Sequence, residues 1–448
     1  MKEILGIINQ IAATSGSNDK KKVINDFKDY PFFYSVVKLA LDQGKAYGLT
    51  EVPHKHIGKG YASTEILLSE INNMSKKRGV TDAEAIQLAS LIQDEATEAV
   101  VNMILKKDLR CGADAKTFNS VVPGWVYEVP YQRYKAFKHI KNIDFLSYVV
   151  AQLKQDGMFA YLDSESGKFT SRNGKTFSLA PIVEDLDRTV AILNQRALKP
   201  TDVVLIGELQ VTGDNGKFLP RKQANGIFNS FISGEGKPEY NDKLVYMIWD
   251  YVPKSSFLAK KCSLKYADKL KDLEKVGNTG HIRMVKTVQV SSYEKAMDFY
   301  RKARSKKEEG AIIKDAAELV WKDEQSGTKY GVKLKAEAVA EFRIVKAYYG
   351  AKGKKYEYVM GGLTVQSEDG KIVTDVGMGF SDSERELGVD WWNSQASKIV
   401  SVKFTDVVTD KSSRETFCLE HARFDESRFN EKDTADTYKY CMEQLEHA

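Results

Sequence analysis

A chain of 448 residues is too long for one ordinary hydrophobic core and implies two or three domains. With 42% hydrophobic and 29% charged residues it is not a disordered chain, and no apolar run is long enough to cross a bilayer. A formal charge of +5 permits a polyanionic partner without requiring one, while Cys111, Cys262, Cys418 and Cys441, far apart and with no CxxC pair, argue against a disulfide framework or structural zinc and read as free thiols.

The chain opens with a helical pattern. Ile4, Leu5, Ile7, Ile8 and Ile11 share one face at helical spacing, and with Glu3 and little charge before it the segment reads as an amphipathic helix and not a signal peptide, so an intracellular protein is expected. Thr81-Asp82-Ala83-Glu84 resembles a capping box opening a helix through Ile86, Leu88, Leu91 and Ile92. His54 and His56 fall in a predicted loop without further ligands and read as solvent-exposed. The basic clusters Lys20-Lys21-Lys22, Lys76-Lys77-Arg78, Lys106-Lys107 with Arg110, and Lys352 with Lys354 and Lys355 read as solvated faces. Pro123, Gly124 and Pro130 then interrupt the helical period, which places a helical domain over residues 1–130.

From about residue 145 the period changes. Runs at 148–153, 203–206, 244–249 and 311–314 read as strands and 184–193 as a helix, an α+β mixture over residues 131–336. After residue 337 the runs EFRIVKAYYG, YEYVMGGLTVQ, KIVTDVGMGF and SKIVSVKFTDVV recur between glycine or charged turns, the pattern of a small antiparallel barrel or sandwich over 337–448.

Candidate chemistry sits at strand ends. Lys154 closes an apolar run, where burial and neighbouring cations can depress an amine's pKa and make it a nucleophile; Asp156-Gly157 after it predicts a tight turn. An exposed lysine before a hairpin explains this stretch equally well. Arg172, in Ser-Arg-Asn-Gly-Lys, offers a guanidinium suited to phosphate or ribose. Glu208 ends the VVLI run and can take a divalent ion or ribose hydroxyls, and residues 246–251 give an aromatic strand on which a purine could stack. Glu309 begins and Lys314 ends another apolar strand, and Lys333 and Lys335 share one strand face by their spacing of two. Each has an ordinary structural reading; their occurrence together, in one order, is the signal.

With MILKKDLRCGA, VVPGW, FAYLDSESGKF, GELQV, IWDYVP and KLKAEAVAEFRIV, that order resembles the covalent nucleotidyltransferases, and within them the ATP-dependent DNA ligases of the T-even bacteriophage type. The resemblance implies a helical DNA-binding domain (1–130), an α+β nucleotidyltransferase domain (131–336) and a C-terminal OB-type β-barrel (337–448), closing as a clamp around nicked duplex DNA. It implies a monomer that seals nicks with ATP and Mg²⁺, or Mn²⁺ as substitute, without sequence preference, in replication, repair or recombination. By the same resemblance, Lys154 would be the position that becomes lysyl-AMP, and Lys333 and Lys335 would contact the α-phosphate. Glu208 would take ribose or metal, Glu309 metal, and Trp249 would stack on adenine, with Tyr246 or Met247 as alternatives. Gln152 would lie at the adenine edge, Lys314 near the nucleotide and Arg172 at the nick phosphate, and Arg423 and Asp425 would orient pyrophosphate.

Three positions depart from the family pattern. Phe159 stands where arginine is usual, Ile206 where aspartate precedes the glycine, and Glu426 where lysine ends Arg-x-Asp-Lys. Arg172, Lys175 or Arg428 could supply a compensating cation. The alternatives are an RNA ligase or other end-adenylylating enzyme, a capping guanylyltransferase, or a silent nucleic-acid-binding protein.

Overall fold

The computed structural model describes residues 1–58, 62–75, 80–195, 202–278, 280–351, 356–410, 416–429 and 431–447. The predicted clusters Lys76-Lys77-Arg78 and Lys352, Lys354, Lys355 lie outside them. Two compact units emerge: Met1–Tyr131 with Gly157–Cys262 and Lys271–Met284, and Gln132–Asp156 with Ser263–Leu270 and Val285–Ala448. The chain therefore passes between units within the stretch predicted as one nucleotidyltransferase domain.

In the first unit, helices Lys2–Ala13, Ser17–Phe27, Pro31–Leu41, Thr64–Met74, Asp82–Ser90, Glu95–Leu105 and Ala115–Val121 surround one apolar cluster. Ile4, Ile7, Ile8 and Ile11 are all buried in it, as their spacing predicts, with Phe33, Val101, Phe118 and Trp125. Ser63, Thr81, Asp94 and Asp114 cap four of these helices by accepting backbone N–H bonds, and Thr81 with Glu84 completes the predicted box. Ile86, read as part of the apolar face, is exposed. Thr81→Ala is expected to cost about 1 kcal/mol, seen as a lower urea midpoint for this helical region. Two of the basic clusters are not merely solvated faces: Lys20 donates to the carbonyls of Ile11 (2.5 Å) and Cys111 (2.7 Å), and Lys107 to those of Asp42 and Lys45 (2.7 Å to Lys45). Those ammonium groups tie loops to helix ends by satisfying carbonyls the helices leave over. His54 bonds the Glu98 carboxylate at 2.9 Å and its ring is largely exposed.

The same unit carries a six-stranded sheet in the order Thr176–Phe177, Lys168–Ser171, Met158–Asp163, Val203–Val211, Leu244–Pro253, Ile282–Met284. The second unit carries a five-stranded sheet, Gln132–Ala136, Glu324–Lys335, Gly310–Asp315, Val149–Lys154, Thr287–Gln289. It also holds an antiparallel sheet, Val373–Val376, Met360–Gln366, Ala338–Tyr349, Ile399–Phe404, Arg423–Ser427, over a core that includes Phe342, Leu363, Val400 and Phe404. Its pairing leaves the sheet open, with an isolated bridge from Met378 to Arg423. No described helix is long and apolar enough to cross a membrane.

Candidate active site

Strand register assembles the site in the second unit. Lys154 lies opposite Gly310, which lies opposite Lys335; Gln152 opposes Ile312, which opposes Lys333; Val150 opposes Lys314. Residues directly opposite each other point to the same side of a sheet. Gln152, Lys154, Lys314, Lys333 and Lys335 therefore share one face. The residues between them, Val149, Ala151, Ala311, Ile313, Val332 and Leu334, enter an apolar cluster with Ala296 and Tyr300 of the helix Tyr293–Ser305. Burying that second face is what fixes the register, since a one-residue slip would turn the lysines inward.

Lys154 forms an ion pair with Glu309, and the two side chains remain 22% and 30% exposed. Glu309 reaches this place through Gly310. At φ +147° a Cβ there would lie 2.1 Å from the Leu334 carbonyl oxygen, so a larger residue would push the strand carrying Glu309 off the one carrying Lys335. The Gly157 that follows Lys154 makes no left-handed turn. A Cβ on it would meet the Leu209 carbonyl at 2.3 Å, and the strand it precedes, Met158–Asp163, pairs with Val203–Val211 instead of folding back on Val149–Lys154.

Lys314 is fully buried, its ammonium 4.2 Å from the ring centre of Tyr266 and 5.5 Å from that of Tyr134. It donates to the Gln152 Oε1 at 2.6 Å, and the Gln152 Nε2 donates to the Tyr266 hydroxyl and the Thr287 Oγ1, both at 2.9 Å. This network fixes the orientation of the Gln152 amide. Tyr266, Thr287 and Tyr134 gave no sequence signal, because they reach it from separate elements.

Burial depresses the Lys335 pKa, with Lys154 and Arg423 adding to the effect and Glu309 and Glu420 opposing it. Lys154, Glu309, Lys335 and Arg423 thus act on one electrostatic neighbourhood. A lysine with a lowered folded pKa costs stability throughout the range below that value, and the cost disappears above the ordinary lysine range. Lys335→Met is therefore expected to raise the melting temperature at neutral pH and to lose that advantage at strongly alkaline pH, as scanning calorimetry at the two pH values would record. Arg423 pairs with Glu337 and Asp425 with Lys403, while Glu426 faces Arg428 at 3.4 Å. Arg428 also forms ion pairs with Glu341 and Glu431, so this predicted compensating cation is already shared among three carboxylates.

The remaining predicted residues belong to the first unit. Phe159 lies opposite Glu208, and Glu208 opposite Met247. A bulge between Ile206 and Gly207 leaves Trp249 as the extra residue, and its partly exposed ring packs 5.9 Å from that of Phe159. Gly207 permits this, since a Cβ would sit 2.5 Å from the Met247 carbonyl. Tyr246 is fully buried, its hydroxyl donating to the carbonyls of Ala160 (2.7 Å) and Leu205 (3.0 Å), so it belongs to the core. Arg172 stacks 4.5 Å above the Tyr131 ring, which meets Phe159 edge-on at 4.9 Å.

A lysine beside a carboxylate, with two further lysines on its own sheet face, can make and stabilise a bond to phosphorus, which requires a nucleophile and cations more than acid–base chemistry. Residues 132–335 match the ATP dependent DNA ligase domain family. Over 421 residues the chain is 26% identical to the DNA ligase of Enterobacteria phage T4, and equally to that of phage T6, covering 85% of this chain and 84% of each relative. Two solved structures have the same fold: Pmar-Lig_PreS3, with a TM-score of 0.73 at 21% identity over 95% of this chain and 99% of that one, and Pmar-Lig_Pre., with 0.71 at 20% over the same shares. Residues 132–335 are therefore an ATP-dependent DNA ligase domain, and over most of its length the chain is similar to the phage DNA ligases.

Proposed function

We propose that this ligase seals 5′-phosphate/3′-hydroxyl nicks in duplex DNA, without sequence preference, through lysyl-AMP on Lys154. The observation that carries this reading is the shared face of Lys154, Lys333 and Lys335, with Glu309 paired to Lys154. In the first step the free amine of Lys154 forms a bond to the α-phosphorus of ATP. The bond from that phosphorus to the oxygen bridging the β-phosphate breaks, its electron pair leaves with pyrophosphate, and the amine proton passes to solvent. Lys333 and Lys335 hold the α-phosphate oxygens, and Lys335 stays useful there because charge on a bound phosphate offsets its burial. AMP then passes to the 5′-phosphate of the nick, and the 3′-hydroxyl displaces it as the new phosphodiester forms.

Trp249 provides the adenine platform, Gln152 and Lys314 the fixed polar edge near the nucleotide, and Glu208 the ribose or metal contact. Arg172, stacked on Tyr131, is a pre-oriented guanidinium for the nick phosphate. Glu309 fits a Mg²⁺ role because its carboxylate already receives a cation, the Lys154 ammonium. Magnesium uses one or two carboxylates together with substrate phosphates, and Glu309 would be such a carboxylate. When bound, Mg²⁺ or Mn²⁺ would neutralise phosphate charge. The bridge from Met378 to Arg423, at the edges of the C-terminal sheet, supports an OB-type barrel over residues 337–448, and the apolar cluster confined to residues 4–126 supports a separate helical DNA-binding domain. A monomer acting inside the host cell completes the reading.

The test is a denaturing gel of 5′-phosphorylated nicked DNA with ATP and Mg²⁺, with nicked RNA alongside. Full-length DNA is the expected product. Sealing of RNA alone would move the assignment to RNA ends, and an unmodified 5′ end on both substrates would overturn it.

A further inference from the structure

We propose that Lys403 is a further phosphate-binding residue of the adenylylation step, taking the departing pyrophosphate together with Arg423. The inference rests on the reading of Lys154 as the AMP acceptor. Pyrophosphate leaves with several negative charges, and cations already aimed at that charge are what lower such a barrier. Arg423 is tied to this neighbourhood by its ion pair with Glu337, two residues beyond Lys335, and it adds to the positive field on Lys335. Lys403 is the cross-strand partner of Arg423. Val402 and Phe424, the next pair along, are buried in the core, so Lys403 and Arg423 point away from it. Their side chains are 36% and 45% exposed, within reach of a ligand.

The backbone explains why this cation comes from a neighbouring strand. Phe424 opposes Val402 and Glu426 opposes Ser401, so Asp425 is the extra residue of a bulge. The bulge leaves Asp425 paired with Lys403, while Glu426 pairs with Arg428. Arg428 is shared by Glu341, Glu426 and Glu431, whereas Lys403 has one carboxylate partner, Asp425, from which a polyphosphate can draw it. Were the Lys403–Asp425 contact only a surface ion pair, its loss would change little.

The experiment divides the reaction. Wild type, Lys403→Met, Lys403→Arg and, as a control on an exposed lysine beside Tyr438, Lys371→Met are each given labelled ATP to measure protein–AMP formation, and separately a pre-adenylylated nick without ATP. Lys403→Met is expected to slow protein–AMP formation by about 10- to 100-fold, the worth of one charged hydrogen bond. It should close the pre-adenylylated nick at the wild-type rate, with unchanged melting temperature. Lys403→Arg should restore most of the first rate, and Lys371→Met should match wild type. Equal loss in both assays, or no loss in the first, overturns the proposal. Absence of a protein–AMP adduct in wild type would instead overturn the reading of Lys154.

Discussion

Lys154→Ala protein is expected to form no AMP adduct with ATP and to lose nick sealing by at least about 10⁴-fold, the scale on which removal of a covalent nucleophile is felt. Lys154, at the end of its strand, pairs directly with Glu309 and remains partly accessible. Alanine would also leave the Glu309 carboxylate without its ammonium, so Lys154→Arg is the sharper companion. It keeps a cation beside Glu309 and should fold as wild type, yet a guanidinium does not deprotonate to attack phosphorus. Mass spectrometry of the ATP-treated proteins reads the result directly: an AMP adduct on either variant would transfer the nucleophile's role to another residue. Closure of a pre-adenylylated nick should persist in Lys154→Arg, because that step does not use the amine.

The largest stability effect is expected at Trp125. Its ring is fully buried, stacked on Tyr34 at 4.9 Å and edge-on to Phe33 (5.9 Å) and Phe118 (5.3 Å), and its Nε1 donates to the Tyr34 carbonyl at 3.0 Å. Trp125→Ala removes the shared centre of that cluster and leaves a carbonyl without its donor, a combined cost of about 3–5 kcal/mol. Domains are commonly stable by only about 5–15 kcal/mol, so a large part of the helical region's margin would go. Urea unfolding should show an early transition for this region. The functional signature is selective: protein–AMP formation on Lys154 retained, binding of nicked duplex lost. Trp125→Phe should recover much of the packing. An unchanged urea profile in Trp125→Ala would show that the aromatic cluster is not what holds these helices.

Most elements could be read from the sequence because their patterns are local. The isoleucines from Ile4 to Ile11 repeat at helical spacing, Thr81 and Glu84 form their box within one turn, the strand at 149–154 lies one residue along from its predicted run, and those at 203–211, 244–253 and 310–315 extend theirs. The same local reading failed at Asp156-Gly157. Glycine marks both tight turns and close backbone approach, and only the neighbouring Leu209 carbonyl shows that Gly157 is the second kind. It failed again at Lys20 and Lys107, where a lysine's long stem reaches carbonyls distant in sequence and a charge run conceals a tether.

Residue identity and order, by themselves, determined the class of this protein: a lysine followed along the chain by the arginine, glutamates, aromatic strand and paired lysines is a pattern that survives without coordinates. Alternation along single strands also settled that Lys333 and Lys335 share a face. Which strands lie side by side was beyond it. Register between strands far apart in sequence placed Lys154 in line with Gly310 and Lys335, seated Lys314 under Gln152, and put Lys403 across from Arg423. Those are long-range pairings chosen by burial of the opposite, apolar faces, a free energy summed over the whole sheet that no single segment carries.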